Sequence, residues 1–189
     1  MYRKMRGFIF LFVASVGCLQ IQAQTKIVNP DNATFPKVEV VGKKTDFGNL
    51  SVYVYNPIRN DSHIYMGYYY SASQLDSIFG TRTETMPDYR EVAYRYGHQG
   101  VLITMTPADD LGLFSIILVG NKYRCSIEGV EMQVGDNVNR INWSSFNKFE
   151  EKTFDDGTIR RWYRTEFNDL LVVKHKNNLI TEIRFDLDF

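Results

Sequence analysis

What most constrains this 189-residue chain is the spacing of its turn signals. Gly97-His98-Gln99-Gly100, Pro107-Ala108-Asp109-Asp110, Asp155-Asp156-Gly157 and Lys176-Asn177-Asn178 separate apolar segments only six to nine residues long. Gly, Asn, Asp and Pro are the residues that let a backbone reverse within a few positions. A connection that short returns the chain beside itself, so consecutive segments pair antiparallel. Strands are expected at 91–96, 100–106, 113–119, 159–165, 169–174 and 179–187. Alternation adds strands at 37–41 and 50–55, the latter with Leu50, Val52 and Val54 on one face and Ser51, Tyr53 and Tyr55 on the other. A further strand at 122–127 bridges the two halves, and 59–63 is a polar loop.

Two segments carry helical spacing instead. In 71–79, Leu75, Ile78 and Phe79 fall on one face, Ser71 or Ser73 supplies a capping hydroxyl, and Gly80 ends the run. In 136–146, Asp136 is the cap and Val138, Ile141 and Ser145 line one side. The two segments sit in units that repeat. Gly67 and Gly135 are 68 residues apart, and at that offset Ile78 meets Phe146, Tyr94 meets Trp162, and Leu102 meets Leu170. One residue of slippage then aligns Ile116 with Ile183 and Leu118 with Phe185. The expected class is α+β: an antiparallel sheet with short helices on one face, made by tandem duplication of a helix-plus-three-strand module. The chain divides into a leader at 1–24, a tether at 25–36, an N-terminal β segment at 37–64, and modules at 65–130 and 131–189.

The motifs Met66-Gly67, Leu75, Ile78-Phe79-Gly80, Tyr94-Arg95-Tyr96 and 111–118 recur as Gly135, Val138, Ile141, Trp162-Tyr163-Arg164 and 180–185. This pattern resembles the module of β-lactamase-inhibitor-protein-like domains, and is similar to the small outer-membrane lipoprotein of the barrel-assembly machinery. The proline that often follows the helix glycine in those modules is missing, and Asn147-Lys148 stands where the second unit needs a counterpart of Gly80. The resemblance implies a scaffold that binds proteins or peptides in the cell envelope, not a catalytic fold.

The N-terminus places the chain in that compartment. Arg3, Lys4 and Arg6 precede an apolar run at 8–16, and Ile21-Gln22-Ala23 offers a small residue for cleavage, which is the order of a secretory signal. The run is shorter than the roughly 18 residues that span a bilayer. The leader resembles those of exported Bacteroidetes proteins. A rival reading lies inside it. Ser15-Val16-Gly17-Cys18 resembles a lipobox, in which Cys18 is lipidated and the protein becomes an outer-membrane lipoprotein rather than a soluble periplasmic or secreted one. Loss of residues 1–24 removes three of the 22 basic side chains and none of the 22 acidic ones, leaving a net charge of −3. Such a mixed chain lacks the clustered basic face that nucleic acid requires. Membrane association is expected only through a lipid on Cys18. After processing, Cys125 has no intramolecular cysteine to pair with, so the core must hold the fold.

Little catalytic chemistry is nominated. His63, His98 and His175 share no metal-ligand spacing, and each reads as a surface residue; no metal and no cofactor is expected. Cys125 reads as a buried structural thiol, and the acidic pairs Asp109-Asp110 and Asp155-Asp156 as turn residues. The aromatic residues say more. Tyr94 and Tyr96 share a strand face, as do Arg160, Trp162 and Arg164 in the second unit. Tyr, Trp and Arg are the residues that concentrate binding energy at interfaces. These five form the candidate binding face; the competing expectation is that Tyr94 and Trp162 are matching core residues. Tyr68-Tyr69-Tyr70 is a second aromatic patch. The function expected is an exported, non-enzymatic binding protein of inhibitor, immunity or assembly-factor type with a protein or peptide partner. The alternative is a small envelope hydrolase acting on glycan or peptide, which would collect carboxylates, His98 or His175 in a cleft.

Overall fold

The computed structural model describes residues 42–58, 63–106 and 112–188. The leader, the tether, the segment 37–41, Cys18 and Asp109-Asp110 lie outside the described residues. The strands are β1 (Lys43–Tyr55), β2 (His63–Tyr69), β3 (Glu84–Pro87), β4 (Val92–Tyr96), β5 (Val101–Met105), β6 (Leu113–Leu118), β7 (Arg124–Ile127), β8 (Val130–Gln133), β9 (Asn147–Thr153), β10 (Ile159–Arg164), β11 (Leu170–Lys176) and β12 (Leu179–Asp186). Among the described residues there is one α-helix, α1 (Ala72–Phe79). The protein is mainly β.

Every named pair of strands is antiparallel. They make two sheets. One has four strands in the order β2-β1-β7-β8, the other eight in the order β3-β4-β5-β6-β12-β11-β10-β9. Burial alternates cleanly along β5, and one hydrophobic cluster takes the inward residues of both sheets. Val52, Val54 and Ile127 come from the small sheet; Ile103, Val173 and Phe185 come from the large one. β1 bulges between Asn49 and Tyr53, so Leu50 leaves the inward row and is 55% exposed. The Tyr68-Tyr69-Tyr70 patch is mostly interior: Tyr68 and Tyr70 are buried, and the Tyr70 hydroxyl accepts from Tyr65 N at 2.7 Å.

α1 forms where its sequence specifies it. Ser71 Oγ accepts from Gln74 N, and Gln74 Oε1 accepts from Ser71 N at 2.8 Å, a reciprocal capping box. Gly80, at φ 85°, ends the helix and donates to Asp76 O. Leu75 and Phe79 are fully buried. Two tyrosines fasten the helix: Tyr96 Oη donates to Asp76 Oδ1 at 3.0 Å, and Tyr123 Oη to Ile78 O at 3.1 Å.

The second expected helix does not form. Residues 136–146 hold a 3₁₀ turn at Val138–Arg140 followed by irregular chain. Short polar side chains take the backbone groups a helix would use. Asp136 Oδ2 accepts from Gln133 N behind it, Asn137 Oδ1 from Asn139 N, and Asn142 Oδ1 from Ser144 N. Trp143 Nε1 donates to Val138 O. With Asn, Val, Ile and Trp all poor helix formers, these local bonds win. The apolar spacing still reports burial, since Val138 and Phe146 are interior. Helices on one face of the sheet therefore reduce to the single α1.

Candidate binding face

Residues directly opposite in an antiparallel pair share a face, so the ladder assigns each side chain of the large sheet to one of two surfaces. Tyr94 and Tyr96 lie opposite Ile103 and Val101, which are interior. Tyr163 and Arg161 lie opposite Leu171 and Val173, also interior. The inward row of β10 is therefore Ile159, Arg161 and Tyr163, and Arg160, Trp162 and Arg164 point the other way.

The five candidate residues are thus divided between opposite faces. Tyr96 is wholly interior, and burial together with the Asp76 carboxylate raises its hydroxyl pKa. Tyr94 is half-buried on the same inward side, with Arg82 stacked 5.0 Å from its ring centre. It lines a cleft of about 340 Å³ with Tyr69, Tyr89 and Arg90. Tyr94 and Trp162 are not matching residues. Tyr163 takes the inward place, buried beneath Trp143 with ring centres 4.7 Å apart and nearly parallel. A slip of one residue reverses every side chain of a strand, which is why a weak repeat offset cannot assign the face.

Arg160, Trp162 and Arg164 remain together on the open face of the sheet, each half-exposed. Arg160 lies over two rings, 5.2 Å from the centre of Phe154 and 5.4 Å from Trp162. Lys152 Nζ is 5.3 Å from the same Phe154 ring. Arg164 covers Phe149, which is 53% exposed at a bulge in β9. The Arg164 guanidinium also donates to Asn168 O and to the Asp188 carboxylate. Farther along, Lys174 pairs with Glu182 at 2.5 Å and Arg184 with Asp186 at 2.6 Å; Asp186 also accepts from Ser115 Oγ. Phe149 and Phe154 were not nominated by the sequence. β9 shows no alternation, so the signal for them was missing.

The histidines correct their expectation in two cases of three. His98 is exposed in the 3₁₀ turn Gly97–Gln99. His63 is buried, stacked on Tyr53 at 4.6 Å. His175 continues the inward row of Leu171 and Val173 and is 2% exposed; neither ring nitrogen has a hydrogen-bond partner. Burial lowers its pKa below the usual 6.5, and Arg161 on the neighbouring strand adds to this, with Glu151 opposing. Below pH 6.5 the unfolded chain takes up a proton at this site before the folded one does. Stability due to His175 is therefore complete above pH 6.5 and falls toward its lowered folded pKa, by at most about 1.4 kcal/mol per pH unit. His63, also lowered by burial, adds to the same limb. We predict that His175→Leu raises stability at pH 7 by about 1 kcal/mol, because two unpaired buried nitrogens are removed. The difference from wild type should widen as pH falls to 5, measured by urea denaturation. A constant difference across that range would show that His175 does not titrate there.

Cys125 is buried, its Sγ donates to Met132 O, and burial pushes the thiol up to about 12, which keeps it unreactive at neutral pH. Asp156 serves its turn, accepting from Thr158 N and Oγ1.

Tertiary structure also creates clefts that the sequence did not announce. Glu128 occupies the tight β7–β8 turn at φ 51°. Beside it, a cavity of about 500 Å³ is lined by Ser51, Tyr53, Ser126, Glu166 and Phe167. Burial raises the Glu128 pKa, and the nearby charges of Glu166 and Asp169 add to this. Asp169 is raised as well, again mainly by burial. A wider groove of about 670 Å³ runs past Glu131, Asp136, Asn137, Arg140 and Asn142; Arg124 lies within 4 Å of both acids. Among the described residues no cluster of three or more His, Cys, Asp or Glu is placed to hold a metal, and no helix is long and apolar enough to cross a membrane. Comparison with protein-family models, curated proteins and solved structures finds no match.

Proposed function

We propose that this chain is an exported, non-enzymatic binding protein of the cell envelope that holds a protein or peptide on the open face of its eight-stranded sheet. One observation carries the reading: Trp162 stands half-exposed between Arg160 and Arg164 on its strand, with Phe154 under Arg160 and Phe149 under Arg164. A large ring flanked by guanidinium groups on a rigid sheet loses little conformational entropy on docking. Tyr94 and Tyr96, on the opposite side, drop out of this surface. Export rests on the leader, and its product is periplasmic or secreted, or an outer-membrane lipoprotein if Cys18 is retained. Mass spectrometry of the mature N-terminus distinguishes the two.

The finer architecture belongs to the same proposal. Each half runs hairpin, short helical turn, four-stranded meander. Exchanging β1–β6 with β7–β12 leaves both sheet orders unchanged. We read this as tandem duplication of a hairpin-plus-meander unit, larger than the module expected from the sequence. The inhibitor-like resemblance supports a binding role for the shared sheet.

The test is affinity capture from envelope extract with the processed chain. Trp162→Ala should reduce capture of a specific partner at least about 30-fold, as for an interface residue worth about 2 kcal/mol. Arg164→Ala should weaken it less, because its charge is already paired with Asp188. Undiminished recovery by both variants would reject this face.

A second reading, the small envelope hydrolase, draws on the raised carboxyl of Glu128 beside Glu166 at the 500 Å³ cavity. It requires turnover of a glycan or peptide that Glu128→Gln abolishes without unfolding the protein. Turnover unchanged by that substitution would reject it.

A further inference from the structure

We propose that Lys152 and Arg160 form a carboxylate-binding spot, completed by an acidic side chain of the bound protein or peptide. The inference rests on the sheet-face reading above and names the chemistry of its partner. Lys152 and Arg160 are directly opposite on β9 and β10. Like charges in that position repel across the ladder. Both cations rest on the one Phe154 ring, and Arg160 also covers Trp162. Arg160 Nε is shut off from solvent with no acceptor. Among the described residues neither side chain meets a carboxylate. Their neighbours on this face do: Arg164 has Asp188, Lys174 has Glu182 and Arg184 has Asp186. The face therefore satisfies its cations at three positions and leaves two adjacent ones unsatisfied.

The geometry selects the ligand. The Arg160 guanidinium lies within 5.4 Å of two ring centres, and a planar guanidinium matches the two oxygens of a carboxylate. Lys152 adds a second positive charge alongside. Two free cations suit one acidic side chain; a nucleic-acid backbone needs a longer basic track, and here the flanking cations are already neutralised. The spot is an open sheet surface, where a free small anion keeps most of its hydration. An acidic residue carried on a polypeptide also brings apolar area to Trp162 and the exposed Phe149. β9 is the outermost strand of its sheet, so an extended segment can reach the site from the side.

Two heptapeptides test this, one with Glu at three alternate positions and one with Gln in their place. They are titrated into the processed chain while the Arg160 Nε–H and Trp162 Nε1–H resonances are followed by NMR. The Glu peptide should bind about tenfold tighter than the Gln peptide at low salt, the margin of one charge-assisted hydrogen-bonded pair. Lys152→Glu should abolish that preference and raise the melting temperature of the free protein, because a repulsive pair becomes an attractive one. Arg160→Lys keeps the charge, loses the fork, and should lose most of the preference. Equal affinity for the two peptides would overturn the carboxylate spot and leave the sheet-face reading to the Trp162→Ala capture result. Inorganic sulfate moving the Arg160 resonance as strongly as the Glu peptide, or a short oligonucleotide binding more tightly, would overturn the assignment to an acidic polypeptide.

Discussion

Phe79→Ala should destabilise this protein by about 3–5 kcal/mol, a large part of the 5–15 kcal/mol that holds a typical domain together. Phe79 is 1% exposed and is the point where α1 meets the rest of the core. Its ring lies edge-on to Tyr123 at 4.8 Å and tilted against Tyr96 at 5.1 Å. Truncation leaves a cavity between two tyrosines whose hydroxyls are tied to α1 itself, through Asp76 and Ile78 O. Neither ring can move into the space without breaking its hydrogen bond, so the site cannot collapse and the full cavity cost remains. The outcome is read as a lower urea midpoint at an unchanged slope. Ser77→Ala, on the exposed side of the helix, is the control and should cost about 0.5 kcal/mol or less. If Phe79→Ala costs no more than that control, α1 does not close the core.

The second large effect is expected at Gly100. This residue ends the 3₁₀ turn between β4 and β5 with φ 65°. Its carbonyl accepts from Val119 N at 2.8 Å, which locks the turn against the end of β6. A Cβ here would sit 2.4 Å from Gly120 N and 2.6 Å from Gly120 Cα, both backbone atoms that no rotamer change can move aside. Gly100→Ala therefore combines left-handed backbone strain with a main-chain clash, and should cost at least about 2 kcal/mol. Gly157→Ala is the comparison: it shares a positive φ of 79° but has open space around its Cβ position. It should cost about 1–2 kcal/mol, from backbone strain alone. Equal losses at the two sites, in thermal or urea unfolding, would mean that the close approach of Gly100 and Gly120 is relieved by a shift of the loop.

The opposite faces of the large sheet let the proposed binding face and a stable core share one β10 strand. Tyr163 stacks under Trp143 on one side, and Trp162 stands with Arg160 on the other. Substitutions at 162 and 163 should therefore separate: the first changes binding with little effect on stability, the second the reverse.

Local sequence carried the strands well wherever a turn and an alternating row coincide, as at β4, β5, β6, β10, β11 and β12. It carried α1 completely, because its cap, apolar face and terminating glycine are all within one short segment. It failed at 136–146, where Asn137 and Asn142 compete for backbone groups that apolar spacing alone assigns to a helix. It missed β9, which lies at the sheet edge with exposed residues on both sides and so has no alternation to read.

For the candidate site the division is sharper. The sequence by itself determined that Arg160, Trp162 and Arg164 share one face, because the two-residue period of a strand is a local property. Only the tertiary structure decided which face that is, since pairing with Leu171 and Val173 turned Tyr163 inward and left Trp162 out. The same holds for Tyr94 and Tyr96, whose own alternation is intact but whose inward direction is set by β5. The β9–β10 hairpin is what joined Lys152, Phe154 and Arg160, and packing against the core is what drew His175 inward. Periodicity fixes relative orientation along one strand; burial, which fixes the absolute orientation, depends on what that strand is packed against.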